Sequence, residues 1–169
     1  MLIEPSTEYK NEYIEMIEEW RDTGEHLVPF VLRYDHTDFE SFLEQIDNLK
    51  KGVDLKVDTV SSSTYWFISQ ERKVIGAVNM RHSLNDRLLQ MGGHIGFGVR
   101  PSMRLKGYAT ELLRQSLIKA REMNHSRVLI ICDKDNHGSA KTIVNNGGIL
   151  DSVDVVTGTE IQRYWIEIK

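Results

Sequence analysis

Along the first fifty residues, apolar positions recur at helical spacing twice. Tyr13, Ile14, Ile17 and Trp20 share one face of a segment from Thr7 to Arg21, with Glu15, Glu18 and Glu19 between them, which predicts a first helix. Phe39, Phe42, Leu43, Ile46 and Leu49 form a second stripe. Thr37-Asp38-Phe39-Glu40 reads as its capping box, with Thr37 as the cap and Glu40 reaching back. From Tyr65 the period changes. Tyr65 to Ser69 and Val74 to Arg81 are rich in β-branched and aromatic residues on either side of Gln70-Glu71-Arg72-Lys73, which predicts an antiparallel hairpin. His94 to Arg100 is the next strand, and Gly96 and Gly98 within it predict a bulge or a close backbone approach by a ligand.

The second half alternates helix and strand. Leu112, Leu113, Leu117, Ile118 and Ala120 line one face of a helix from Glu111 to Met123, opposite a charged face. Val128 to Cys132 is a continuous apolar run bounded by Arg127 and Asp133, which predicts a central strand covered on both faces. Gly147-Gly148 can take left-handed geometry to end the helix after it. Strands at Ile149 to Val156 and Glu160 to Ile168 close the chain around Thr157-Gly158-Thr159. These elements give an α/β (α+β) fold: a mixed, mostly antiparallel sheet of about six to seven strands flanked by about four helices, in one domain over residues 1–169.

Composition narrows the function classes. The 169 residues are 40% hydrophobic and 27% charged with three Pro, as in an ordinary globular domain. A net charge of -4 supplies no long-range attraction to nucleic acid or an anionic membrane, so neither is expected as a partner. The start Met1-Leu2-Ile3-Glu4-Pro5 lacks a basic and then apolar leader, and no apolar run approaches a bilayer span, so a cytoplasmic location is expected. Cys132 is alone and fits a small apolar core role better than nucleophilic chemistry. Cys132, Asp133, Asp135 and His137 match no zinc spacing, so no metal is expected.

The candidate chemistry lies in Val99-Arg100-Pro101-Ser102-Met103-Arg104-Leu105-Lys106-Gly107-Tyr108-Ala109-Thr110, where a strand ends, a glycine turn follows and an amphipathic helix begins. The first N–H groups of a helix have no internal partner, and the helix dipole adds positive charge, so this turn suits an anionic ligand such as a phosphate. Gly107 admits close approach, Ala109 stays small, and Arg104 and Lys106 add charge at the rim. The plainer alternative is a basic strand-to-helix turn that happens to contain glycine.

The order Arg104-x-x-Gly107-x-Ala109 resembles the pyrophosphate-binding motif of the GNAT superfamily of acyl-CoA-dependent N-acetyltransferases. Downstream, Asn136-x-x-Ser139-Ala140 and Asn145-Asn146-Gly147-Gly148 are similar to that family's next helix. The two blocks stand in the family's order with one apolar strand between them. They cover roughly Tyr65 to Leu150, and the first sixty residues carry no comparable match. The resemblance implies acetyl-CoA as cosubstrate, held by Phe97, Val99, Arg104, Leu105, Lys106, Gly107, Tyr108, Ala109, Thr110, Asn136 and Ser139. It implies direct attack by the primary amine of a small molecule or peptide in a ternary complex, with the backbone at Phe97 and Val99 binding the cofactor arm and polarising the thioester. For Asn136, an ordinary helix cap is the alternative. A homodimer is a further family-level expectation.

Acid and base are less well marked. Many GNAT members carry a Tyr seven residues after the Asn as the general acid; here that residue is Ile143. His94 is the candidate base by type, although its strand parity is opposite to that of Phe97 and Val99 unless a bulge at the glycines inverts it. His82, His36 and a water chain are the alternatives. The weakly matching N-terminal part should bind the acceptor, with Trp20, His26, Phe30, Tyr34 and His36 enclosing a cationic amine and Glu25 or Asp35 attracting it; Asn79 and Arg81 also stand at that end. The missing acid leaves a rival reading, a catalytically silent CoA-binding regulatory module of the same fold.

Overall fold

Two antiparallel sheets lie side by side, and the gap between them determines what the protein can bind. The computed structural model describes residues 1–169. The first sheet has the order β1 (Leu2–Ile3), β2 (Ser62–Ile68), β3 (Val74–Arg81), β4 (Ile95–Val99). The second has the order β5 (Arg127–Asp133), β7 (Thr159–Glu167), β6 (Ile149–Val156). Five helices surround them: α1 (Lys10–Asp22), α2 (Phe39–Lys51), a short α3 (Asp86–Gln90), α4 (Tyr108–Glu122) and α5 (His137–Asn145). No helix is long and apolar enough to cross a membrane.

Strand β2 is buried at every position because helices cover both faces of its sheet. Trp66 and Ile68 point to the side of α1 and α2, where they meet Tyr13, Ile17 and Phe42. Tyr65 and Phe67 point to the opposite side, in one core with Leu112 and Leu113 of α4 and Ile143 of α5. Burying each of those leucines contributes about 1.5–3 kcal/mol. Ile118 does not join them: it is exposed on the outer flank of α4.

Helix α2 starts one residue later than its cap signal suggests. Asp38 caps it, accepting from Ser41 N at 3.2 Å and Ser41 Oγ at 2.9 Å, while Thr37 gives its N–H and hydroxyl to Asp35. A carboxylate is at least as good a cap as a threonine and adds favourable charge at the helix N-terminus. At the other end of the chain, Thr157 and Gly158 both take positive φ in the two-residue turn joining β6 and β7, as the sequence indicates. Gly147, at φ +87°, stops α5.

Arg100 fixes the exit of β4. Its guanidinium is buried, with Nε donating to Glu19 Oε2 at 2.7 Å and Nη2 to Glu15 at 3.0 Å. Glu19 also accepts from Ser102 N at 2.8 Å. Burial alone would raise the Glu19 carboxyl; the bonds from Arg100 and Ser102 outweigh it and leave the group below the usual carboxylate range. Helix α1 is thereby anchored to the turn that leads into α4.

Strand β5 is central in the molecule but is the edge of its own sheet. It meets the β4 side only at a bridge between Gly93 and Ile130 and through His94, whose carbonyl accepts from Arg81 N of β3 at 2.8 Å while its N–H donates to Leu129 O at 2.7 Å. Beyond that junction the two strands share no ladder.

Candidate functional site

The opening between β4 and β5 is a cleft of about 890 Å³. At one end, the chain leaves β4 through a turn at Pro101–Met103, takes positive φ at Leu105 and Gly107, and enters α4 at Tyr108. None of the backbone N–H groups from Leu105 to Thr110 has a hydrogen-bond partner in the protein; the first helical bond is Glu111 N to Gly107 O. A Cβ on Gly107 would meet nothing within 4 Å, so glycine serves here for its left-handed backbone and open surface, not to avoid a neighbour. The helix thus starts inside the cradle, as the sequence indicates, three residues before the apolar face read from Glu111 onward.

Backbone polarity along β4 follows from its pairing. Arg81 N donates to His94 O at 2.8 Å and Arg100 N to Ile75 O at 3.0 Å, so even-numbered residues bond β3. The N–H and C=O groups of Phe97 and Val99 therefore face the gap. Arg104 Nε takes the Val99 carbonyl at 3.0 Å, which leaves the Phe97 amide and carbonyl open to the cleft.

Phe97, Val99, Arg104, Leu105, Gly107, Ala109, Thr110, Asn136 and Ser139 all line this one cleft. Lys106 and Tyr108 do not contribute side chains to it. The Lys106 ammonium turns back to Ser102 O at 2.9 Å, and the Tyr108 ring packs into the core, edge-on to Phe67. Arg104 is committed as well, binding Glu25 at 2.7 Å over the ring of Trp20. Asn136 is the cap of α5, with Oδ1 accepting from Ser139 N at 3.0 Å, and its Nδ2 has no partner within the protein.

These features coincide with the chain's sequence relationships. A family model described as an acetyltransferase (GNAT) domain matches residues 1–149. The chain belongs to the GNAT acetyltransferase family. No curated protein matches it in sequence. Among solved structures, the acetyltransferase is similar to the microcin C7 self-immunity acetyltransferase in complex with acetyl-CoA and AMP, at 18% identity over 99% of this chain and 91% of that one, TM-score 0.69. It is similar to an acetyltransferase from Salmonella typhimurium that modifies the N-terminal serine of a 50S ribosomal subunit protein, at 12% identity over 99% and 94%, TM-score 0.69. A variant of spermidine N-acetyltransferase from Vibrio cholerae matches at 12% identity over 99% and 94%, TM-score 0.66.

Two features of β4 correct the sequence reading. The acetyltransferase has no bulge there: the pairing with β3 runs evenly from Gly76–Val99 to Met80–Ile95. The close approach is by the chain itself, since a Cβ on Gly98 would run into the Val28 carbonyl and lie 2.6 Å from Trp20. Without a bulge the parity of His94 is not inverted, and its ring stands outside the cleft. Its Nδ1 accepts from Leu129 N at 2.9 Å, and burial pushes its pKa down to about 4, with His125 and Arg81 adding repulsion. An imidazole whose lone pair is already bonded cannot take a proton from substrate.

The alternative histidines fare no better. His82 bonds Ser63 and His36 packs on Tyr13, both away from the cleft, whereas His26 is the one histidine that lines it, on the exposed loop after α1. Loop membership was its only sequence signal. Ile143 is buried beneath the cleft and offers no proton. Cys132 lines the cleft, but burial raises its thiol to about 11, so it stays protonated. The carboxylates expected to attract an amine are engaged: Glu25 with Arg104 and Asp35 with Thr37. Asn79 is buried away from the cleft against Ser62 and Thr64, while Arg81 lines it.

Proposed function

We propose that this acetyltransferase moves an acetyl group from acetyl-CoA to the primary amine of a small molecule or peptide by direct attack within a ternary complex. The observation that carries this is the run of unpartnered amides from Leu105 to Thr110, opening onto the same cleft as the free backbone edge of Phe97. An array of N–H groups at a helix start, with φ +82° at Gly107 and no side chain in the way, suits a pyrophosphate.

Acetyl-CoA would supply the activated acyl group as a thioester. The Phe97 N–H is available to bind an oxygen that gains charge during attack, in a groove lined by Val99 and Ile131. Asn136 Nδ2 and the Ser139 hydroxyl are open donors on the facing helix. Holding amine and thioester together accounts for much of the rate in such a mechanism. His26, or water ordered in the cleft, would accept the amine's proton.

Ile143 and the displaced His94 favour one rival, a silent CoA-binding module. Thermal unfolding with acetyl-CoA, CoA and ATP tests the site first: ligand at about 100 times its Kd adds about 2.7 kcal/mol, or roughly 5 to 11 °C for a domain of this size. A shift with both CoA species and little with ATP supports the cradle. Release of CoA thiol across an amine panel then supports the enzyme, while saturable binding with no amine-stimulated release supports the module. No shift at all overturns both.

A further inference from the structure

The cradle occupies one end of the cleft; the other end, where the acceptor would enter, is cationic. Arg81 is the last residue of β3, and its partner His94 lies beyond the far end of β4 from Val99, about 17 Å along the strand. Its Nη1 donates to the carbonyls of Gly92 at 3.2 Å and Gly93 at 2.9 Å, and its guanidinium lies 5.5 Å from the centre of the Phe30 ring. Neither Nε nor Nη2 has a partner, and the side chain forms no salt bridge. Arg33, on the turn that carries Phe30, lines the same end and is exposed.

Carboxylates are absent from this end. Of the two that line the cleft, Glu25 is bound to Arg104 beside the cradle, and Asp133 stands where β5 leads into α5. Burial lowers Arg81 to about 10, with Arg87 adding repulsion, so it remains charged at neutral pH. A partly buried cation oriented by carbonyl dipoles, but not neutralised, is completed by an anion from outside. The open Nε–Nη2 edge is a two-point donor that matches carboxylate or phosphate oxygens.

Building on the acetyl-transfer reading, we propose that Arg81 determines acceptor specificity, and that the amine acetylated here carries an anionic oxygen group, a carboxylate or a phosphate, which docks on that edge. A polyamine is disfavoured, because it would bring like charge against Arg81 and Arg33.

The test uses the full chain and acceptors in matched pairs: an amino acid against its carboxamide, phosphoethanolamine against ethanolamine, and spermidine alone. The wild-type protein is expected to favour the anionic member of at least one pair by tenfold or more in kcat/KM, and which pair responds distinguishes carboxylate from phosphate. In Arg81→Gln the preference collapses toward one, with the loss in the KM of the anionic acceptor and the KM for acetyl-CoA little moved. Arg81→Lys, which keeps the charge without the fork, falls between and provides the reading if Arg81→Gln folds poorly. Equal or better turnover of neutral or cationic amines by the wild-type protein would overturn this proposal and leave the transferase intact. So would an Arg81→Gln protein slowed alike on every acceptor, since Arg81 would then only tie Gly92 and Gly93 in place. Failure of every amine in the panel, with CoA binding retained, overturns the transferase reading and this inference together.

Discussion

Arg104 binds Glu25 at 2.7 Å while its Nε holds the Val99 carbonyl at 3.0 Å, so one side chain joins the loop after α1, the end of β4 and the cradle. The bond from Arg104 also holds the Glu25 carboxyl below the usual carboxylate range. The pair is solvent-exposed and contributes at most about 1 kcal/mol to stability. Its larger effect is on ligand charge: Glu25 neutralises a cation at the rim. Glu25→Gln is therefore expected to leave Tm nearly unchanged and tighten CoA binding by a few-fold, while Arg104→Ala weakens it by about tenfold. Titration calorimetry at two salt concentrations checks both, and the difference shrinks at high salt.

Gly107→Glu places a carboxylate among the open amides and strains a backbone at φ +82°. Stability should fall by about 1–3 kcal/mol from the strain alone, because no neighbour lies within 4 Å of the added Cβ. CoA affinity should fall at least a hundredfold. A thermal scan with and without CoA separates the two effects, and a retained ligand shift would refute the cradle.

At Gly98 the expectation is reversed. Gly98→Ala forces a methyl group toward Trp20 and the Val28 carbonyl, overpacking that costs about 1–3 kcal/mol. For a chain of this length, Tm should drop by about 2 to 12 °C before any ligand is added. Unchanged melting would show that the loop after α1 does not rest on β4 as described.

The contrast between these glycines shows what the sequence carries. Gly107 is legible because its turn, the start of α4 and the basic residues around it are all local. The stripes of α1 and α2 and the hairpin of β6 and β7 are legible for the same reason. Gly98 is misread because the group that requires it, Val28, is seventy residues earlier in the chain. The opposite parity of His94 is legible, but only the pairing of β4 rules out the bulge that would invert it, and only the fold shows that Leu129 claims its ring. Arg104 and Glu25 show no local sign of their pairing, and the cationic character of the acceptor end appears only once β3 has brought Arg81 beside Phe30.

His94 gives a pH dependence of stability. Its folded pKa of about 4 lies below the unfolded value near 6.5, so its contribution is complete above pH 6.5 and lost as pH falls toward 4. The loss is at most about 1.4 kcal/mol per pH unit, and smaller once solvent screening of this part-exposed ring is allowed for. His94→Gln should therefore melt lower at pH 7 but decline less between pH 7 and pH 5. His82 and His125, also lowered by burial, supply the slope that remains. Calorimetric Tm against pH measures this, and an equally steep decline in the variant would assign the slope elsewhere.

In most sheets the amide protons of the innermost strands are the last to exchange with solvent. Here the molecule is divided down its middle, and the N–H groups of Phe97 and Val99 look across the gap between β4 and β5 instead of into a ladder. Deuterium should enter those two positions quickly in the free protein, while the N–H groups of Gly96 and Gly98, bonded to β3, resist it. A fast and slow alternation along one buried strand, erased when a ligand fills the gap, would be the solution signature of the split sheet.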